Sequence, residues 1–184
     1  MAREETTYIR FSVGIEVKTV NKLIRFVEVQ LKKGVDSFVL LMSSPGGNVF
    51  AGLSGYGYLK GIPAKVVTHN YGNVDSIAAV LFCAGSHRLC VPHARFLLHG
   101  ISYDVTKPTR FEEKTLDERV RSLRIDRENM SGVIADSTGK PLAEVEHDIL
   151  ESTVLNSEQA LAYGLVHEIK SVLFEKGAKI FEIA

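Results

Sequence analysis

The chain has 184 residues, 22 of them basic and 22 acidic, so its formal net charge is zero. Hydrophobic residues make up 45% and charged ones 24%, which is enough for a buried core without disulfide or metal staples. The charge balance excludes the basic stripe of a nucleic-acid binder and a polybasic membrane anchor; no apolar run approaches the ~20 residues of a membrane span, and a polar Met1 to Thr6 lacks the apolar core of a secretory signal, so a soluble cytoplasmic protein is expected.

In chain order, Thr7 to Gly14 alternates β-branched and aromatic residues and reads as a strand. Val20, Leu23, Ile24, Val27 and Leu31 mark one face of a helix, which Lys32-Lys33-Gly34 stops. Phe38 to Met42 is a short apolar run of the kind a buried parallel strand needs. A second helix is expected over Val49 to Lys60, although Gly52, Gly55 and Gly57 weaken it. Lys65 to His69 reads as a third strand, and Ser76 to Ala84, apolar all round, as a helix buried in the core. Arg88 to Val91 and Arg95 to His99 read as strands on either side of Pro92. From Thr109 to Ile134 the chain is charged and helical, with Thr109 and Glu112 placed as a capping box. Leu116, Val120, Leu123, Met130 and Ile134 give it an apolar stripe, and its length predicts a helix that projects and packs on another subunit. A short helix to about Glu151 follows, then one capped by Asn156 and Gln159 and ended by Gly164. Leu165, Val166 and Ile169 read as the last strand. Strands alternating with helices at this spacing predict one α/β domain.

Cys83 and Cys90 form no Cys-x-x-Cys pair and read as small buried hydrophobes. The six histidines show no His-Glu-x-x-His. Neither a metal nor a cofactor is expected.

Two glycine-containing loops stand out, Ser43 to Asn48 (SSPGGN) and Asn70 to Ser76 (NYGNVDS), each following a strand. Open α/β sheets bind ligands at the carboxyl ends of their strands. A serine opening a buried helix lies near backbone N–H groups able to bind an oxyanion. Glycines in the neighbouring loop let a substrate backbone approach. His99, at the end of Phe96-Leu97-Leu98, suits a general base on a rigid element. A serine before a helix is ordinarily an N-cap, so the Ser76–His99 pattern alone leaves both readings open. Neither G-x-G-x-x-G nor a phosphate-loop lysine motif occurs.

Ser44-Pro45-Gly46-Gly47 followed by Val49, Ala51 and Gly52 resembles a segment of the ClpP-type serine peptidases. Ser76 stands where that family has its serine, with Gly72 four residues before it. Ala84-Gly85, Pro92 and Phe96-Leu97-Leu98-His99 follow in the family's order, as do Ser157 to Ala160 and Tyr163-Gly164-Leu165-Val166. The resemblance runs from about Tyr8 to Lys170. It implies a ClpP/crotonase-like α/β spiral of βαβ units: a single domain over 1–184, with a head over 7–100 and 135–184 and a projecting handle over about 101–134. It further implies a serine endopeptidase with Ser76 as nucleophile, His99 as general base, and the backbone N–H groups of Gly47 and Ile77 as oxyanion hole. The implied assembly is a homo-oligomer of stacked heptameric rings acting on peptides.

The departures are specific. Ser152 stands where the family has its third triad member, an aspartate, leaving Glu151 and Asp148 as nearby carboxylates. Such a loss can cost about 10⁴ in rate, so reduced activity is expected. Asp75 replaces a small residue beside the serine; it reads either as a charge acting on His99 and the oxyanion or as a solvent-facing turn residue. Only seven residues precede Tyr8, which weakens the ATP-dependent unfoldase partner that the family implies. Gly100 to Val105, before Pro108, is less glycine-rich than the family's strand there. Two alternatives follow: an inactive ClpP-like ring subunit, or a crotonase-like protein binding an acyl-CoA thioester with the same two N–H groups.

Overall fold

A computed structural model of the chain describes residues 6–102, 105 and 110–184. β1 (Thr6–Phe11) leads to α1 (Val17–Leu31), which buries Val20, Leu23 and Val27. β2 (Ser37–Ser44) is buried along most of its length, as its apolar run requires. α2 (Val49–Gly61) follows, and the expectation that its glycines would weaken it is answered by packing. A Cβ on Gly52 would sit 2.3 Å from Ile77 Cγ1, so the glycine lets α2 lie directly against the core. β3 (Lys65–Asp75) then leads into α3 (Ala78–Phe82), whose five residues are all fully buried.

β4 (His87–Cys90) and β5 (Arg95–Leu98) precede the long α4 (Glu113–Thr138). The chain closes with α5 (Leu142–Leu150), β6 (Thr153–Asn156), α6 (Ser157–Tyr163), β7 (Glu168–Ile169) and β8 (Ile180–Ile183). The sheet runs β6-β5-β3-β2-β1-β8, with β4 paired to β3 and β7 to β4. Every pairing is parallel except β5 with β6. Cys83 and Cys90 are fully buried thiols, and burial pushes both up in pKa. Among the described residues no helix is long and apolar enough to cross a membrane.

Several sequence expectations are corrected. Residues 70–75 are not a loop but the second half of β3. The strand changes partners along its length, with Val67 to Asn70 beside β4 and Asn73 to Asp75 beside β5. α3 starts at Ala78, so Ser76 is not its N-cap. β1 stops at Phe11 rather than Gly14. The last strand is not Leu165 to Ile169 alone: β7 is two residues long, and β8 adds a parallel strand beside β1. β6 also lies outside the predicted set; its antiparallel pairing with β5 is a long-range contact that periodicity does not reveal. α4 is capped at Glu112 and runs to Thr138, four residues past Ile134, with the left-handed Gly139 as its C-cap. Thr109, the predicted cap, lies outside the described residues, as do most of the positions between Ser102 and Arg110. Met130 and Ile134 anchor the inner part of α4, whereas Leu116, Val120 and Ile125 on its outer part stay exposed.

Arg88 fastens this arrangement. It is 5% exposed and has no carboxylate partner among the described residues. Its guanidinium instead donates to the carbonyls of Leu165 (2.8 Å), Gly85 (3.4 Å), Ser137 (2.7 Å) and Gly164 (3.0 Å). These carbonyls lie at the C-terminal ends of α3, α4 and α6, where helix dipoles concentrate partial negative charge. Replacing Arg88 by Met leaves those buried acceptors unpaired. The expected loss is about 3 kcal/mol, read as a lowered urea midpoint with an unchanged denaturant slope.

His69 is buried, and its Nε2 lies 2.9 Å from the Lys170 carbonyl. Burial holds its pKa below the ordinary 6.5. His167 is also held low, by burial and then by Arg88 and His87. Both favour the neutral form when folded, so the unfolded chain binds more protons on the acid side. Their contribution to stability is complete above pH 6.5 and is lost as the pH falls below it. Urea titrations at pH 7.5 and pH 5 are expected to show this loss, with a smaller one in His69→Gln.

Candidate active site

The sheet places two corners together at the carboxyl ends of β2 and β3. After β2, the chain turns through Gly46 at φ +88° and Gly47 at φ +145°, backbone that side-chain-bearing residues rarely adopt. Ile15 N–H donates to Gly46 O (2.8 Å), and Asn48 N–H donates to Ile15 O (2.7 Å). Asn48 then caps α2, its side chain accepting from the Ala51 N–H at 2.8 Å. A Cβ on Gly46 would lie 2.6 Å from Ser76 Cβ and 2.7 Å from Asp75 O. The loop therefore packs on the serine corner with no room for a side chain.

Ser76 is at φ +60°, between the last residue of β3 and the first turn of α3. Its N–H donates to Leu97 O at 2.7 Å, which ties the corner to β5. Positive φ in a non-glycine residue is uncommon and collects at functional sites. A strand–turn–helix corner of this kind lifts a serine hydroxyl off the end of a sheet. Within the described residues, the N–H groups of Gly47 and Ile77 donate to no carbonyl or side chain. Both flank Ser76, one across the loop contact and one in sequence.

His99 is the first residue past β5, partly exposed, two positions beyond the carbonyl that holds Ser76. The antiparallel register pairs Leu98 with Thr153, so one further step sets His99 opposite Ser152. Ser76, His99 and Ser152 thus lie in a row across three neighbouring strand ends, β3, β5 and β6. No hydrogen bond joins the three side chains in this structure. Ser152 is exposed, at φ +58°. Glu151 is the exposed C-cap of α5. Asp148 is engaged elsewhere: the Tyr163 hydroxyl donates to its Oδ2 at 2.7 Å. Burial, and then Asp148, push the Tyr163 pKa above its ordinary value.

Burial decides one of the two readings of Asp75. It is 5% exposed, so it is not a solvent-facing turn residue. Its Oδ2 accepts from Asn73 Nδ2 (2.9 Å) and Arg95 (2.5 Å), and not from His99. Asn73 in turn accepts from Ser43 Oγ at 3.0 Å and donates to Ser44 O at 3.3 Å, joining β2 to β3 under the loop. No sequence signal pairs Arg95 with Asp75, because the β3–β5 contact spans α3 and β4. Among the described residues no group of three His, Cys, Asp or Glu is placed to hold a metal ion.

Removing the Arg95 guanidinium leaves the Asp75 carboxylate buried and uncompensated. Because Arg95 is half exposed, Arg95→Ala is expected to cost about 1–2 kcal/mol. Adding Asp75→Asn should recover most of it in a double-mutant cycle of urea midpoints. Additive costs would show that the two side chains act independently.

Comparison with known proteins bears on this corner. A family model described as Clp protease matches residues 4–172. The ATP-dependent Clp protease proteolytic subunit 3 of Rhizobium meliloti is 32% identical over 142 residues, covering 76% of this chain and 71% of that protein. The ATP-dependent Clp protease proteolytic subunit 2 of Pseudomonas aeruginosa is 28% identical over 158 residues, covering 85% and 77%. With the mixed α/β sheet and the serine corner at its carboxyl edge, the match over most of its length means that the chain belongs to the Clp protease family of serine peptidases.

Proposed function

We propose that the protein hydrolyses peptide bonds through an acyl-enzyme on Ser76. The observation that carries this is the Ser76 corner: a positive-φ serine at the end of a buried strand, packed against Gly46 and flanked by two unengaged N–H groups. In the first step, Ser76 Oγ attacks the scissile carbonyl carbon and His99 takes the hydroxyl proton. The negative oxygen of the tetrahedral intermediate is held by the N–H groups of Gly47 and Ile77. Collapse breaks the C–N bond, and His99 gives its proton to the leaving amine. Water, deprotonated by the same imidazole, then releases the acyl group. Both relatives are by name ATP-dependent, but these steps consume no nucleotide, so ATP would enter only through a separate partner.

The third position decides the rate. Ser152 lies opposite His99 but carries no charge to orient the ring or to stabilise its protonated form. Asp148 already receives the Tyr163 hydroxyl. The reading is therefore a slow Ser76–His99 dyad, assembled in rings through the exposed apolar residues of α4. A second reading, a silent ring subunit, draws on the same Ser152.

The two separate cleanly by experiment. Intact-mass spectrometry after a fluorophosphonate is expected to show one adduct on the wild type and none on Ser76→Ala. No adduct on folded, ring-assembled wild type would overturn the peptidase and leave the silent subunit. Aspartate tolerates left-handed backbone better than most residues, so Ser152→Asp fits the φ of +58°. It is expected to raise turnover of a fluorogenic peptide about 10²-fold or more. An unchanged rate would show that position 152 does not serve His99.

A further inference from the structure

A cavity of about 530 Å³ opens beside the serine corner and is not used by the chemistry above. One wall is the oxyanion loop and the start of α2, from Gly47 to Phe50. Ile101 and Ser102, two and three residues past His99, form another. The far wall is one face of α4: Arg119, Ser122, Leu123 and Asp126, at the i, i+3, i+4, i+7 spacing. The cavity thus runs from the proposed oxyanion site to the handle helix. That is the path a substrate side chain takes when its own carbonyl sits at Gly47.

Its lining combines apolar residues with two charged ones. Phe50 is 75% exposed and, with Val49, Ile101 and Leu123, offers surface for the methylenes of a long side chain. Two charges face the space. Arg119 is engaged over the Phe111 ring, 4.7 Å from its centroid. Among the described residues, Asp126 makes no hydrogen bond or ion pair. The two are also at different depths. Asp126 lies one turn before the buried Met130, where α4 meets the head. Arg119 is seven residues further out, about 10 Å along the helix at 1.5 Å per residue. The charge nearer the buried end of α4, and the one without a partner among the described residues, is negative.

We propose that this cavity takes the side chain of the residue whose carbonyl is attacked, and that Asp126 makes it select lysine or arginine. Its walls cover the stem, and the carboxylate meets the cationic head in a charge-assisted hydrogen bond. This rests on the peptidase reading of Ser76, and the test keeps the two apart.

Matched peptidyl diphenyl phosphonates carrying a lysine-like, leucine-like or glutamate-like side chain next to phosphorus are reacted with the full chain. Adducts on Ser76 are followed by intact mass, with a side-chain-free fluorophosphonate as reference. The lysine probe is expected to label about tenfold faster than the leucine probe. Asp126→Asn is expected to bring that ratio within twofold, and Asp126→Lys to favour the glutamate probe; the fluorophosphonate reports whether each variant keeps its serine corner. Equal lysine and leucine rates on a wild type that takes the fluorophosphonate would overturn the selectivity alone. So would a lysine preference that survives Asp126→Asn, or a wild-type preference for the glutamate probe, which would assign the cavity to Arg119. No fluorophosphonate adduct on the wild type would overturn the peptidase reading and the selectivity with it.

Discussion

The contact on which the site depends is steric: Gly46 against Ser76. A hydrogen atom is all that fits between two backbones that approach this closely. Because Gly46 is also hooked to Ile15, the loop cannot withdraw from the serine without breaking the bridge between Ile15 and Gly47. Ser76 in turn is pulled toward β5 by Leu97 O. The positive φ of Ser76 is thus held from two sides. Local strain of about 1–3 kcal/mol persists only where the surroundings over-determine it. Here α3 lies wholly buried beneath the corner and fixes it from below.

Much of this was legible in the residues. The α1 stripe, the apolar β2 and the all-apolar α3 announce themselves because burial on one face or on every face writes directly into composition. The two glycine-containing segments stand out for a different reason: only small residues allow two backbones to meet, as Gly46 does at Ser76. What escaped were contacts between positions far apart in sequence. β3 looks like a strand followed by a loop because its second half leaves β4 and pairs with β5, and Gly72 and Asn73 carry no β-pattern. Asp75 looks like a surface charge because its cation, Arg95, comes from the neighbouring strand. β6 and β8 are four residues each, too short for a periodic signal.

Arg88 and Asp75 illustrate two ways of burying charge. Asp75 is paired at its edge with a half-exposed arginine, so its charge is compensated but still reachable by solvent through the partner. Among the described residues Arg88 has no counter-ion, and its guanidinium is solvated by carbonyls. The second solution works because helix C-termini leave acceptors unpaired, and three of them converge on one point. It also ties the last turn of α4, which holds Ser137, to the ends of α3 and α6. The geometry of the cavity beside the serine therefore depends on a residue that takes no part in it.

The parallel strand β8 has a consequence for the outer rim of the sheet. Without it, β1 would present six residues of unpaired backbone along an open side. Beside Ile9 and Phe11, that row would be a ready template for strands of other chains. β8 covers four of those positions, and an Arg10–Glu182 ion pair at 2.6 Å fastens it from the solvent side. The main run of the sheet then ends in a four-residue strand at each margin, β6 and β8, and its β4 branch ends in the two-residue β7. A segment that contributes nothing to the chemistry thereby acts as a built-in guard against unintended strand addition, in a protein whose proposed substrates are themselves extended peptides.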